Sequence, residues 1–176
     1  RRDAGEVRMF GLDARAREVE VKRRIGFVHD TPFFCDHLEL KTIKAQVAPF
    51  YPDWDEAEFR RLLDEFELPA GKRFGKLSRG MKMKFSLALA LSHHADLLLL
   101  DEPTSGLDPV FRRDLLGRLS AFLQDPAKSV LFSTHITTDL ERIADYVTFV
   151  RDGRVVFSAP KDETLERWAV VKGGAE

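Results

Sequence analysis

A single cysteine, Cys35, stands among the 176 residues. One thiol excludes an internal disulfide and a Cys-based metal cluster, and it fits a reducing compartment. Long apolar runs are missing too. The longest, Leu87 to Leu91, has five residues, whereas a bilayer-spanning helix needs about 20. The expectation is a chain that does not cross a membrane by itself. Neither sign of charge is in excess: Lys plus Arg number 28 and Asp plus Glu 29, a net charge of −1. That balance argues against a chain-wide basic face and against nucleic acid as a partner. Arg1-Arg2-Asp3-Ala4-Gly5 has no initiator methionine, no apolar signal region and no transit-peptide character, and it reads as a chain entered midway. Internal repeats and low-complexity tracts are absent as well.

What is present suits one domain, or one domain with a small appended lobe. The chain is 44% hydrophobic and 32% charged. Val7 to Phe10, closed by Gly11, reads as a short strand, and Ala14 to Lys22 as a polar connection. Ile25 to Val28 reads as a buried strand that breaks at the loop His29-Asp30-Thr31-Pro32. From Thr42 to Pro69 the pattern is helical, with Phe59, Leu62, Leu63 and Phe66 on one face. Asp53 followed by Glu56 has the spacing of a capping box. Met81 to Leu91 alternates like a strand, yet it holds no β-branched residue and consists of helix formers, so a buried helix starting near Ser78 is expected. The pair His93-His94 at its end has no third metal ligand nearby and is expected at the surface.

Leu97-Leu98-Leu99-Leu100, stopped by Asp101-Glu102-Pro103, is the pattern of a central parallel strand buried on both faces. Asp108-Pro109 supplies an N-cap and a first-turn proline for a helix to about Gln124. Ser129 to Phe132 is another short strand, and Thr138 with Glu141 has the form of a capping box opening a further helix. Tyr146 to Val150 and Arg154 to Ser158 flank Asp152-Gly153, a hairpin signal. Asp162 to Val171 looks helical, with Gly173-Gly174 as a frayed end. Strands alternating with helices indicate an α/β fold.

Three places carry chemistry. Asp101 and Glu102 close an apolar strand at its carboxyl end, where α/β sheets bind ligands. A carboxylate there can hold Mg²⁺, and its neighbour can orient and deprotonate water. A strand emerging into an acidic, solvated loop would look the same. Ser78 and Gly80, in Leu77-Ser78-Arg79-Gly80-Met81, can form a helix N-terminus open to phosphate, or an ordinary cap. His135, after Leu131-Phe132-Ser133-Thr134, could contact a terminal phosphate or simply be hydrogen-bonded.

Together these features resemble the nucleotide-binding subunit of ATP-binding-cassette transporters. Leu77 to Met81 resembles the signature motif and Leu97 to Glu102 the Walker B strand with its following glutamate. Ser105-Gly106-Leu107-Asp108 resembles the D-loop, and Ser133-Thr134-His135 the switch-histidine loop. The likeness extends from Gly5 to Gly153. Phe50-Tyr51-Pro52-Asp53-Trp54 and Gly80-Met81-Lys82 resemble bacterial multidrug, antibiotic-resistance or acetoin-type exporters.

The resemblance implies roles. Asp101 would help hold Mg²⁺, Glu102 would be the general base, and His135 would contact the γ-phosphate. Asp108 would communicate across a dimer, while Ser78, Arg79 and Gly80 would lie at ATP held by the opposite subunit. Asp30 takes the place of the Q-loop glutamine, offering an oxygen but no donor. Arg79 stands where the family usually has glycine, and Met81 where it has glutamine; Arg79 either adds charge near phosphate or faces solvent. No G-x-x-x-x-G-K-S/T motif occurs in the chain. The expectation is therefore a P-loop-NTPase-like core with a parallel sheet and an inserted helical subdomain, cut just after the phosphate-binding loop and inactive alone.

The parts would be residues 1–35 (remaining N-terminal core with the Q-loop), 36–94 (helical subdomain with the signature) and 95–176 (core with Walker B, D-loop and switch histidine). A second nucleotide-binding subunit, identical or not, and a transmembrane permease would be the partners. The permease would touch the chain near Thr31 to His37, on the cytoplasmic face of the membrane. A soluble cassette ATPase is the first rival. The DNA-repair kind needs a very long insertion between Asp30 and Ser78, where only 47 residues intervene. The translation kind carries paired cassettes and a charged linker, neither of which is visible. A non-catalytic interaction module is the second rival, and intact Asp101, Glu102 and His135 count against it.

Overall fold

The computed structural model describes residues 4–167. Gly173-Gly174 and the last residues of the expected terminal helix lie outside that range. The chain forms two compact units that divide after Thr134.

The first unit begins with a small antiparallel hairpin, β1 (Arg8–Met9) and β2 (Leu12–Asp13), turned by Phe10 and Gly11, both at positive φ. Where a polar connection was expected, a short helix α1 (Glu18–Arg23) follows. Its acidic first turn and basic last turn suit the helix dipole, Lys22 pairs with Glu18 one turn back, and buried Val21 anchors it.

The sheet that carries the site has three parallel strands in the order β3 (Ile25–Val28), β4 (Leu97–Asp101), β5 (Ser129–Ser133). Val28 pairs with Leu100, and Leu100 with Phe132. Side chains alternate between the faces. Gly26, Val28, Leu98 and Leu100 are buried on one face, against helix α4 (Arg79–Leu91). The approach is close: a Cβ on Gly26 would stand 2.8 Å from the Ala90 carbonyl oxygen. On the other face Phe27 is 59% exposed and Leu131 66%. The leucine strand is therefore central, as expected, but not covered on both faces. An unbroken apolar run does not say which of its two sides a helix will occupy.

Between β3 and β4 the chain is helical: α2 (Leu40–Val47), a 3-10 turn at Ala48–Phe50, α3 (Glu56–Glu65), a second 3-10 turn at Phe74–Lys76, then α4. Helix α3 is capped by Asp55, whose carboxylate accepts from the Glu58 amide at 2.8 Å, and not by Asp53. Both aspartates have a glutamate three residues on. The Asp55 amide also donates to the Ser92 carbonyl at 2.7 Å, a tertiary bond that settles where the helix begins. Phe85 of α4 packs edge-on to Phe34, Phe59 and tilted Phe74 at the centre of this layer. Helix α5 (Pro109–Phe122) opens as expected on Asp108, whose Oδ1 accepts from the amides of Val110 and Phe111. Its Arg118 pairs with Glu65 at the end of α3 and lies over the Phe66 ring.

His93 corrects another expectation. It is 4% exposed, with Nδ1 at 3.1 Å from the Leu89 carbonyl and Nε2 at 3.1 Å from the Ile25 carbonyl, and its ring stacks on Tyr51. His94 is the exposed member of the pair, 3.4 Å from Asp55. A helix end reverses direction over one residue, so neighbours in sequence face opposite ways. Burial holds the His93 pKa below its ordinary value. The unfolded chain thus binds the proton more readily, and stability should be full above the unfolded value of about 6.5 and fall as the pH drops below it. Urea midpoints between pH 7.5 and 5 should show this decline, and His93→Asn should flatten it.

In the second unit, helix α6 (Thr137–Ile143) precedes an antiparallel hairpin of β6 (Tyr146–Arg151) and β7 (Arg154–Pro160), then α7 (Lys161–Arg167). Asp152 and Gly153 turn the hairpin at φ +50° and +72°, as an Asp-Gly pair does in a two-residue loop. Thr138 lies inside α6 and does not cap it; Ile136 occupies the cap position without a side-chain cap bond. Among the described residues no helix is long and apolar enough to cross a membrane.

Candidate functional site

The parallel register decides what meets Asp101. Val28 is level with Leu100, so the next residue of each chain, His29 and Asp101, emerge side by side at the carboxyl ends of β3 and β4. Asp101 is also paired with Ser133 at the end of β5. By the two-residue alternation of a strand, His29, Asp101 and Ser133 project on the same side as Phe27 and Leu131. Ser133 Oγ donates to Asp101 Oδ1 at 2.7 Å, and Asp101 Oδ2 faces His29 Nε2 at 4.0 Å. His29 Nδ1 lies 2.6 Å from Asp30 Oδ1.

Ligand atoms of His29, Asp30 and Asp101 all fall within 4.8 Å of one another, and each residue is half-buried. Two carboxylates and an imidazole nitrogen that converge so closely fit a divalent cation. The cluster lies in the position where open α/β sheets receive ligands.

Glu102 leaves the strand with φ at +48°, in the left-handed region that a non-glycine residue enters at a cost. Its amide holds this turn by donating to the Ser133 carbonyl at 3.2 Å and approaching Ser133 Oγ at 3.1 Å. Ser133 thus ties Asp101 and Glu102 together, one through its hydroxyl and the other through its backbone. Thr104, just beyond, is buried.

The second grouping is at the start of α4. Ser78 caps that helix, its hydroxyl accepting from the Met81 amide at 3.2 Å. A hydroxyl that accepts one bond still has its O–H to donate. Arg79 does not simply face solvent. Its guanidinium lies over Gly106, where a Cβ would come within 3.2 Å of Nη1, and a Cβ on Gly80 would meet Leu107 at 3.8 Å. Gly106 has φ +68°, so a side chain there would be strained as well as crowded. The stretches around Ser78–Gly80 and Gly106–Asp108 are therefore neighbours within this chain. Asp108 is exposed and caps α5. His135 is exposed at the start of the second unit, two residues before α6.

Sequence reasoning assigned no role to His29. Its signal was available in principle: it stands one residue beyond a four-residue strand, as Asp101 stands beyond four leucines. Only the register shows that those two positions coincide. A cavity of about 330 Å³ also went unforeseen, at the outer edge of β3, lined by Pro32, Phe33, Phe34, Val47, Tyr51 and Leu89 among others.

The sequence profile described as ABC transporter matches residues 1–105. The bacitracin transport ATP-binding protein BcrA of Bacillus licheniformis is 28% identical over 167 residues, which cover 93% of this chain and 54% of that protein. The chain therefore spans about half the length of this curated relative. A solved structure described as the ATP binding subunit of an ABC transporter is 27% identical with a TM-score of 0.82, covering 94% of this chain and 70% of the other. A second, a dimeric post-hydrolysis state of an ATP-binding cassette bound to ADP and Pi, has a TM-score of 0.75 at 22% identity, with 90% and 74% coverage. At that identity it speaks for the fold alone.

Proposed function

This chain belongs to the ABC transporter family, and from that premise we propose that the full-length protein binds and hydrolyses ATP to power a membrane transporter. The observation that carries the reading is the meeting of Asp30 and Asp101 at the carboxyl ends of two parallel strands, with Glu102 next in line. That is the equipment for neutralising a phosphate chain and activating water beside it.

In this reading Asp101, with Asp30 alongside, holds Mg²⁺, which when bound neutralises charge on the phosphate oxygens. Glu102 orients the attacking water and takes its proton; its strained turn fixes where that carboxylate starts. His135 contacts the terminal phosphate. Ser78, through its remaining O–H, and Gly80, through its close-approaching backbone, contact ATP held by a second nucleotide-binding subunit. Asp108, beside that surface, passes the state of one subunit to the other. Arg79, packed on Gly106, stiffens the contact between signature and D-loop within its own chain.

The cavity at the edge of β3 is the proposed seat of the permease. Loop residues Pro32, Phe33 and Phe34 line it, inside the segment Thr31 to His37, and Phe33 is 78% exposed. An apolar, aromatic-lined groove fits an intracellular helix of a membrane subunit. The protein would then sit peripherally on the cytoplasmic face. The division into 1–35, 36–94 and 95–176 is kept as part of the proposal.

The test compares two samples. The full-length protein should bind ATP and turn it over only with a divalent cation. The 176-residue chain, which contains no G-x-x-x-x-G-K-S/T, should show no turnover, because the backbone cradle of that motif is what grips the β- and γ-phosphates. Full-length protein that fails to bind ATP would end the reading. Glu102-dependent turnover by the isolated chain would overturn the part about the phosphate loop.

A further inference from the structure

The cluster at the ends of β3 and β4 contains a nitrogen donor, and that changes which ion it suits. We infer that His29 Nε2 and Asp101 Oδ2 are direct ligands of a Mn²⁺-class divalent cation, bound before any nucleotide, with Asp30 holding the imidazole in position. The inference rests on the ATPase reading only for what the ion is used for; binding depends on three side chains of this chain.

Each ring nitrogen has its own partner. Nδ1 has two neighbours, Asp30 Oδ1 at 2.6 Å and the Thr31 amide at 3.1 Å. The carboxylate is nearer and charged, so the stronger bond is Nδ1–H to Asp30. That leaves the lone pair on Nε2, which points toward Asp101. The gap from Nε2 to Asp101 Oδ2 is 4.0 Å, too long for a hydrogen bond. It is the span that one ion bridges with two bonds of about 2.0–2.2 Å, and a small closure would bring the ligands to a bent arrangement. Asp101 cannot turn away to relieve the gap, because Ser133 Oγ holds its other oxygen at 2.7 Å. A carboxylate that fixes the far nitrogen of a ligating histidine is a recurrent outer-shell arrangement around metals.

The register makes the pair rigid. His29 and Asp101 are each one residue past paired strand positions, so both stems are set by backbone hydrogen bonds and not by a loop. Mg²⁺ prefers an all-oxygen octahedron and keeps its waters, whereas an imidazole–carboxylate pair favours transition ions. An aspartate at position 30 is then part of the same device: it has the negative charge that a glutamine lacks, and with it the strength to hold the ring.

Mn²⁺ is the probe, because it is paramagnetic. Full-length protein free of nucleotide should bind one Mn²⁺ in an EPR titration, with nitrogen hyperfine coupling from one imidazole, and a tenfold excess of Mg²⁺ should not displace it. His29→Gln should remove the nitrogen coupling and weaken binding about 10- to 100-fold. Asp30→Asn should weaken it by a similar factor while the coupling persists, the effect expected of an outer-shell partner. His94→Ala serves as the control and should change nothing, with circular dichroism verifying that each variant is folded. Coupling that survives His29→Gln would overturn the inference, as would wild-type protein that binds Mn²⁺ no better than Mg²⁺. Either failure leaves ATP binding, measured separately on the same protein, untouched.

Discussion

Glu102→Gln in the full-length protein should lower kcat for ATP hydrolysis on the order of 10²–10⁴-fold while leaving ATP affinity within a few-fold of wild type. The magnitude is what a positioned general base ordinarily contributes. Glutamine keeps the size of the side chain and its ability to orient a water, but it cannot take the proton. Geometry should survive the change, because the turn at residue 102 is held by backbone bonds to Ser133 and not by the carboxylate. Steady-state turnover together with equilibrium nucleotide binding checks both halves. A variant that keeps more than a third of the wild-type kcat would remove Glu102 from the chemistry. One that loses ATP binding as well would show that the residue holds the nucleotide.

Phe85→Ala should cost about 3–5 kcal/mol of stability, the usual range for removing a buried ring without collapse of the space around it. Phe85 is 0% exposed, and three other rings surround it with centroids 5.9–6.3 Å away. Those rings come from the loop after β3 (Phe34), from α3 (Phe59) and from the turn before α4 (Phe74). Relaxation is therefore blocked, since filling the void would require three separate segments to move together. The same cluster ties the metal-facing loop to the helix that Ser78 caps. Urea denaturation reads the effect. Phe33→Ala, next to a cluster member but exposed, should stay within about 0.5 kcal/mol. Equal losses from both substitutions would mean that the layer is not packed as described.

Much of this was legible beforehand, and the misses follow a pattern. Helix α4 was readable despite its strand-like alternation, because composition outweighed a period that Ala and Leu produce by chance. The caps at Ser78 and Asp108 were readable because a single side chain and the amides just after it make the motif. Asp53 and Asp55 offered the same spacing, and only a bond to Ser92, 37 residues away, decided between them. Thr138 had the cap pattern but sits within its helix. Glu18–Arg23 read as a connection because its one buried anchor, Val21, gives no period to detect.

Local chemistry written along the chain was enough to determine the alternation of strands and helices, the acidic pair at the end of a buried strand and the family to which the motifs point, since each depends on residues within a few positions of one another. Pairings between segments were left to the folded chain. His29 beside Asp101, Arg79 over Gly106, His93 inward with His94 outward, and one face of the leucine strand covered while the other is open all depend on register and packing. Those quantities are sums over contacts distant in sequence, and no single stretch of the chain contains them.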